Sequence, residues 1–225
     1  MGIADQIKKI KEQTSRGVCL VAVSKTRPAA ELMEAYAAGQ RVFGENKVQE
    51  LIEKYQQMPP DVQWHFIGHL QTNKVKQITP FISLIHSVDS FKLLKSIDKE
   101  GKRNNRKIKC LLQFHIAEEE SKFGLDLPEA VDILSSAEYG ALGFIEVCGV
   151  MGMATYTDDE SQIRKEFRLL KNIFEQLKER FFGGQESFSE ISMGMSGDYP
   201  IAVEEGSTMI RVGSLIFGER DYGSM

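Results

Sequence analysis

Eight strand-length runs of apolar and β-branched residues alternate along the chain with segments of helical periodicity, with no linker between them. The runs are VCLVAVSKT from Val18, RVFGEN from Arg41, VQWHFIGH from Val62 and SLIHSV from Ser83. They continue with IKCLLQFHI from Ile108, GFIEVCGVMGMA from Gly143, FSEISMGMS from Phe188 and TMIRVGSLIFG from Thr208. Strands that are apolar on both faces belong to parallel sheets covered by helices. The intervening segments supply those helices. PAAELMEAYAAG carries Pro28 at its first turn and stops at Gly39, and KVQELIEKYQQM is closed by Pro59 and Pro60. A helix starts near Gln71, FKLLKSIDKEG and PEAVDILSSA follow, and YPIAVEEG is a short one. The longest places Ile163, Phe167, Leu170, Phe174, Leu177 and Phe181 on one stripe. An opening amphipathic helix (Ile3, Ile7, Ile10) stands before the first strand.

Eight such units in 225 residues fit an α/β fold, a (β/α)8 TIM barrel with an extra N-terminal helix, as one domain over 1–225. A doubly wound open sheet would usually carry a glycine-rich first turn, and SKTRP has no glycine. Hydrophobic residues at 42% and charged residues at 27% suit a globular chain with a sizeable core. The net charge of −4 lacks the basic surplus of a general nucleic-acid binder. No apolar run is long enough to cross a bilayer, and MGIADQIKKIKEQ is too polar for a secretion signal, so a cytoplasmic location is expected. Cys19, Cys110 and Cys148 each lie in an apolar run without a CxxC pattern, which points to buried reduced thiols in strands. His65 and His69 lack an HExxH context and read as structural, so no metal is expected. The cation-rich stretch KSIDKEGKRNNRKIK reads as a solvated loop, and the methionines at 151, 153, 193 and 195 as core filling.

In a barrel of this kind the chemistry gathers at the carboxyl ends of the strands. The polar residues there are Ser24-Lys25-Thr26, Glu45-Asn46, His69, His86-Ser87, His115, Ser192 to Ser196, and Arg211 with Gly213 and Ser214. A lysine leaving an apolar strand into the mouth loses hydration, which lowers its pKa and suits it to imine formation. A lysine just past a strand end can equally be a plain solvated side chain. Small residues in SMGMSGD and GSTMIRVGSLIFG let backbone N–H groups approach an anion where barrels often hold phosphate. Arg211 interrupts an apolar strand, and a buried guanidinium needs an acceptor. An imine-forming lysine, a phosphate cradle and an inward arginine together suggest pyridoxal 5′-phosphate, with Arg211 at the pyridine nitrogen. An arginine there does not release its proton, so the ring is a weaker electron sink than an acidic partner would make it.

The strings AVSKT, AYAAGQRVFGENKVQE, WHFIGHLQTNK, SVDS, EESKFG, MGMAT and SMGMSGDYPIAVEEGSTMIRVGSLIFGER closely resemble the pyridoxal phosphate homeostasis (YggS/PROSC) family, from about Val18 to Arg220. That family is similar to the N-terminal barrel of alanine racemase, of fold type III. The resemblance implies Lys25 as the aldimine lysine, Ser196, Gly213 and Ser214 on the phosphate, and Arg211 at the ring nitrogen. Asn46 lies near the cofactor, with His69 and Met193 at the pocket rim. It implies no catalytic residues of its own but a carrier or buffer of the vitamin B6 cofactor that influences amino-acid and keto-acid pools. LQTNK departs slightly from the family's usual LQSNK, and QFHIAEEESKFG brings His115 to the pocket wall. The second domain that gives alanine racemases their opposing tyrosine is not expected after Arg220, so efficient two-base racemisation is not expected either. The alternative is a pyridoxal-phosphate-dependent amino-acid racemase or related lyase. A third candidate is a phosphosugar enzyme using Lys25 without a cofactor. A monomer is expected, with transient contact with apoenzymes that use the cofactor, and no nucleic-acid or membrane partner.

Overall fold

The computed structural model describes residues 2–14, 17–119 and 123–219. In chain order α1 (Ile3–Gln13) precedes β1 (Cys19–Val23), α2 (Ala29–Ala37), β2 (Val42–Glu45), α3 (Val48–Gln57) and β3 (Gln63–Phe66). Next come a 3-10 turn (Thr72–Lys74), α4 (Val75–Ile78), β4 (Leu84–Val88), α5 (Phe91–Arg103), β5 (Ile108–Gln113), α6 (Leu127–Ser135) and α7 (Ala137–Gly140). The chain continues through β6 (Ile145–Met151), α8 (Glu160–Phe181), β7 (Glu190–Ser192), α9 (Tyr199–Glu204), β8 (Met209–Val212) and α10 (Ser214–Phe217). The eight strands form a closed barrel in sequential order, each parallel to its neighbours. Closure comes from β8 against β1, with Val21 opposite Arg211 and Ala22 opposite Val212.

Side-chain alternation along each strand splits the core in two. Leu20, Phe43, Trp64, Ile85 and Ile210 point outward into the layer shared with the helices. Val21, Leu84, Leu111, Cys148, Met151 and Met209 point inward and fill the lower barrel. Trp64 packs between barrel and helices beside Phe43, with ring centroids 5.9 Å apart. The stripe on α8 buries Ile163, Phe167, Leu170, Phe174 and Leu177 as its spacing requires, with Phe181 half-buried at the end. The N-terminal helix buries Ile7 and Ile10 and packs on α2 and α10, beside the closing seam.

Several strands are shorter than the apolar runs suggest. The eighth ends at Val212, and Ser214–Phe217 turns into a short helix that buries Ile216 and Phe217 in the outer core. A run such as SLIF satisfies either period, and the last pairing of β8 with β1 is at Val212, so nothing holds it extended. The seventh ends at Ser192, because Gly194 takes a φ of +95° and brings Tyr199 and Ala202 close against its bare α-carbon. The helix expected from Gln71 is split into a 3-10 turn and the four-residue α4. Cys110 and Cys148 are buried and Cys19 half-buried, all free thiols within strands. Burial pushes Cys19 and Cys148 up to about 11, and Cys110 higher still.

If α8 is held by its buried stripe, Phe167→Ala lowers unfolding free energy by about 3–5 kcal/mol, while the half-exposed Leu169→Ala on the same helix costs under about 0.5 kcal/mol. Urea denaturation midpoints of the two variants check this.

Candidate functional site

The carboxyl ends of the strands surround a cavity of about 840 Å³. Lys25 follows β1 in the inward register of Val21 and Val23 and lines that cavity. Its backbone is fixed on both sides by an ion cluster formed by the buried Lys54 and the partly exposed Glu50 of α3 with the buried Glu45 of β2. Lys54 Nζ donates to the Ser24 carbonyl at 2.7 Å, and the Thr26 N–H donates to Glu50 Oε2 at 2.8 Å. Lys54 also pairs with Glu45 at 2.6 Å and Glu50 at 3.4 Å, and the Ser24 hydroxyl donates to Glu45 at 2.6 Å. Thr26 is held at a φ of +66°, uncommon for a β-branched residue. Burial raises the Glu45 carboxyl, opposed by Lys54 and Ser24. Glu50 is held below its ordinary value, where the Thr26 N–H and Lys54 outweigh its burial.

Asn46, just past β2, lines the same cavity, and its Oδ1 is buried without a hydrogen-bond partner among the described residues. Gly68 lies so close behind it that a β-carbon there would stand 2.4 Å from the Asn46 carbonyl oxygen. Opposite, Ser196, Gly213 and Ser214 line the wall after β7 and β8, and the Gly213 N–H donates to Ser196 Oγ at 3.3 Å. The N–H groups of Ser214 and Leu215 lie in the first turn of α10, where no carbonyl of that helix reaches them.

Arg211 enters from β8 with 4% of its surface exposed. It donates from one terminal nitrogen to Ser192 Oγ at 2.6 Å and from the other to the Gly152 carbonyl at 3.0 Å, both uncharged acceptors. Burial lowers its pKa to about 10, with the Asp198 charge opposing, so the guanidinium stays charged near neutrality. Below it, Ser192 Oγ lies 2.9 Å from His86 Nδ1, and His86 Nε2 lies 2.9 Å from His65 Nδ1. Burial pushes His65 down to about 3, and holds His86 well below its ordinary range with help from the His65 and Arg211 charges.

His69 is at the rim, its Nδ1 3.1 Å from Asp89 Oδ2 and its ring stacked on Phe123 at 4.7 Å. The cavity thus brings together Lys25, Asn46, His69, Ser196, Arg211, Gly213 and Ser214, the residues the sequence singled out. Met193 is the exception: it is fully buried in the outer core, and Met195 lines the cavity instead. Since Ser192 points inward, its neighbour must point out. His115 is not on the cavity wall; its ring bonds the Glu119 carbonyl. The EESKFG string falls partly on residues 120–122, outside the described residues.

Sequence reasoning missed Arg27, Gln113 and Phe123. Arg27 lines the mouth and donates to the carbonyls of Gly218 and Glu219 at 2.5 and 2.8 Å, fastening the segment after α10. Gln113 donates to the Phe123 carbonyl at 2.8 Å and so holds the aromatic beside His69. A polar residue at the mouth end of an apolar strand, in register with inward Leu111, was the signal available for Gln113. The buried carboxylate of Glu166, on α8, accepts from the Thr155 N–H at 2.6 Å and the Glu118 N–H at 3.2 Å, tying together the loops after β5 and β6. Among the described residues, no three His, Cys, Asp or Glu side chains gather as a metal would need, and no helix is long and apolar enough to cross a membrane.

The family profile described as "Alanine racemase, N-terminal domain" matches residues 2–221, and the chain belongs to that family. Two relatives resolve the membership further. The pyridoxal phosphate homeostasis protein of Aquifex aeolicus is 37% identical over 225 residues, covering 98% of this chain and 96% of that one. The protein of the same name from Homo sapiens is 37% identical over 246 residues, covering 99% and 88%. The chain is thus a member of the pyridoxal phosphate homeostasis proteins. Among solved structures it resembles PipY of Synechococcus elongatus, without pyridoxal phosphate (TM-score 0.90, 37% identity, 96% of this chain and all of that one). The form of PipY with the cofactor bound gives a TM-score of 0.86 at 36% identity, over 96% of this chain and 100% of that one. Alanine racemase from Bartonella henselae shares the fold at 15% identity, with a TM-score of 0.74, over 99% of this chain and 60% of its own length.

Two enclosed neutral histidines make stability depend on pH. Near an ordinary pKa of 6.5 the unfolded chain takes up protons that the folded one refuses, so stability is lost on acidification below that value and regained above it. From pH 7 to pH 5 the His65 ring should remove about 2 kcal/mol, and His86 acts in the same direction. Urea midpoints at the two pH values check the loss, and His65→Asn should flatten the dependence.

Proposed function

We infer that this chain is a pyridoxal 5′-phosphate-binding protein that carries or buffers the cofactor, holding it in the barrel mouth. The observation that carries the inference is a charged, buried Arg211 whose hydrogen bonds among the described residues go to uncharged acceptors, on the same cavity as Lys25. The donor set fits the cofactor. Lys25 supplies the amine for its aldehyde; Ser196 with the N–H groups of Ser214 and Leu215 supplies phosphate donors; Arg211 supplies an N–H for its ring nitrogen. Asn46, with a buried orphaned oxygen, and His69 at the rim border the ring. Met193 acts only through packing. When bound, the cofactor supplies an electrophilic aldehyde and an electron-accepting ring.

What this chain's residues do with it is hold rather than transform. A guanidinium whose pKa remains near 10 keeps its proton, so it does not hand one to the ring nitrogen. That leaves the ring poor at accepting electrons, which disfavours carbanion chemistry. The relatives' shared name and the cofactor-bound PipY agree with a homeostatic role. With it goes a proposal that residues 1–225 work as one cytoplasmic, monomeric unit that meets apoenzymes transiently and delivers through the open mouth.

Incubated with pyridoxal phosphate and dialysed, the wild type should keep a visible chromophore that Lys25→Ala lacks, and borohydride trapping should tag Lys25. A tag elsewhere, or none, overturns the binding mode. Racemisation of common amino acids above about 1 per second would overturn the carrier role in favour of an enzyme.

A further inference from the structure

Beneath the cavity the barrel interior changes from apolar to polar within one layer. Below lie Val21, Leu84, Leu111, Cys148, Met151 and Met209. Above them Arg211, Ser192, His86 and His65, from β8, β7, β4 and β3, run as a hydrogen-bonded chain with links of 2.6, 2.9 and 2.9 Å. His86 and Ser192 have no exposed surface and His65 has 5%, and none of the three lines the cavity. Burying polar groups is costly unless they are satisfied, and hydrophobic side chains of similar size would fill the same space. The layer therefore calls for a role that packing does not supply.

The polarity of this chain follows from one end. A guanidinium only donates, so Ser192 Oγ accepts from Arg211. The serine proton then goes to its other partner, His86 Nδ1, which must be unprotonated. His86 therefore carries its proton on Nε2 and donates to His65 Nδ1, leaving the His65 proton on Nε2 as well. Protonating His86 would aim an N–H at the serine oxygen, orphan the hydroxyl proton, and set a second cation one hydroxyl away from Arg211. The charged and titratable groups facing the guanidinium are His86 and His65 through Ser192, and Asp198 at the start of α9. The Gly152 carbonyl after β6 completes its anchoring.

We propose that Ser192, His86 and His65 are positioning residues for Arg211, a tautomer-locked neutral chain that anchors the guanidinium from below without cancelling its charge. A carboxylate in place of Ser192 would anchor it equally well but would neutralise it. With neutral hydrogen-bond anchors, and Asp198 acting on it through charge, the guanidinium keeps a positive charge at the cavity wall, where its remaining N–H groups can meet an unprotonated ring nitrogen. This rests on the cofactor reading and adds to it what sets the field at that nitrogen.

Two measurements test it separately. Long-range proton–nitrogen NMR of the histidine rings in the unaltered chain, without cofactor, should show both as Nε2–H tautomers that do not titrate between about pH 5.5 and 8.5. Titration of either ring in that range, or an Nδ1–H tautomer of His86, overturns the proposal. The second arm compares pyridoxine 5′-phosphate, which has the ring and phosphate but no aldehyde, with inorganic phosphate. Ser192→Ala should weaken the first about fivefold and leave the second within about twofold, while Ser192→Thr restores the first. Equal weakening of both, or of neither, overturns the proposal, since a purely structural serine would not distinguish them. Should the unaltered chain bind neither ligand, the cofactor reading fails, and the NMR result alone decides the chain. Because those spectra need no substitution, the decision holds even where a variant does not fold.

Discussion

The pairing of β8 with β1 is the constraint on which this site rests. It converts a row of parallel strands into a cylinder and sets Val21 opposite Arg211. Residues at the two ends of the sequence thereby become neighbours at one rim. Lys25, four residues beyond Val21, and Gly213, two beyond Arg211, then share one wall of the cavity. Without closure the Lys25 amine and the turn at Gly213 would lie on opposite edges of an open sheet. The N-terminal helix, packed on α2 and α10, covers the region where the two ends meet. The seam is thus supported from outside by apolar burial and from inside by the alternating residues of the barrel core.

Around that seam the chain buries charge, which proteins seldom do without partners. In the Lys54–Glu45–Glu50 cluster, Lys54 and Glu45 are buried, and the cluster is tied to the backbone on both sides of Lys25, so its cost is coupled to the placement of that amine. Arg211 is treated differently: its anchors are neutral, and its charge is left to act on whatever occupies the mouth. One buried cation is paired with carboxylates and the other hydrogen-bonds uncharged acceptors, and the difference lies in the acceptors the sequence offers each.

The barrel was legible because each strand is apolar on both faces and each helix carries a 3.6-residue stripe. These signals do not depend on distant residues. The inward placement of Lys25, Asn46, Arg211 and Gly213 followed from strand ends in a known architecture. What escaped depended on contacts made at long range or on backbone that leaves the regular period. The run SLIF was consistent with strand or helix until the pairing of β8 ended. Met193 was assigned to the rim although Ser192 beside it takes the inward place, and the positive φ of Gly194 brings Met195 into the cavity. The link between Ser192 and His86 spans 106 residues, so no local pattern announces it. Gln113 and Arg27 act through loop carbonyls whose positions only the fold determines.

The three cysteines acquire a further meaning beside a reactive aldehyde. A thiolate is a strong nucleophile toward such carbonyl groups, and an accessible one would form a hemithioacetal. Here the sulfurs of Cys110 and Cys148 are buried within the sheet, and Cys19, half-buried, has its acidity suppressed to about 11. Burial thus keeps sulfur from competing with the nitrogen of Lys25 for an aldehyde in the mouth, as the proposed binding mode requires.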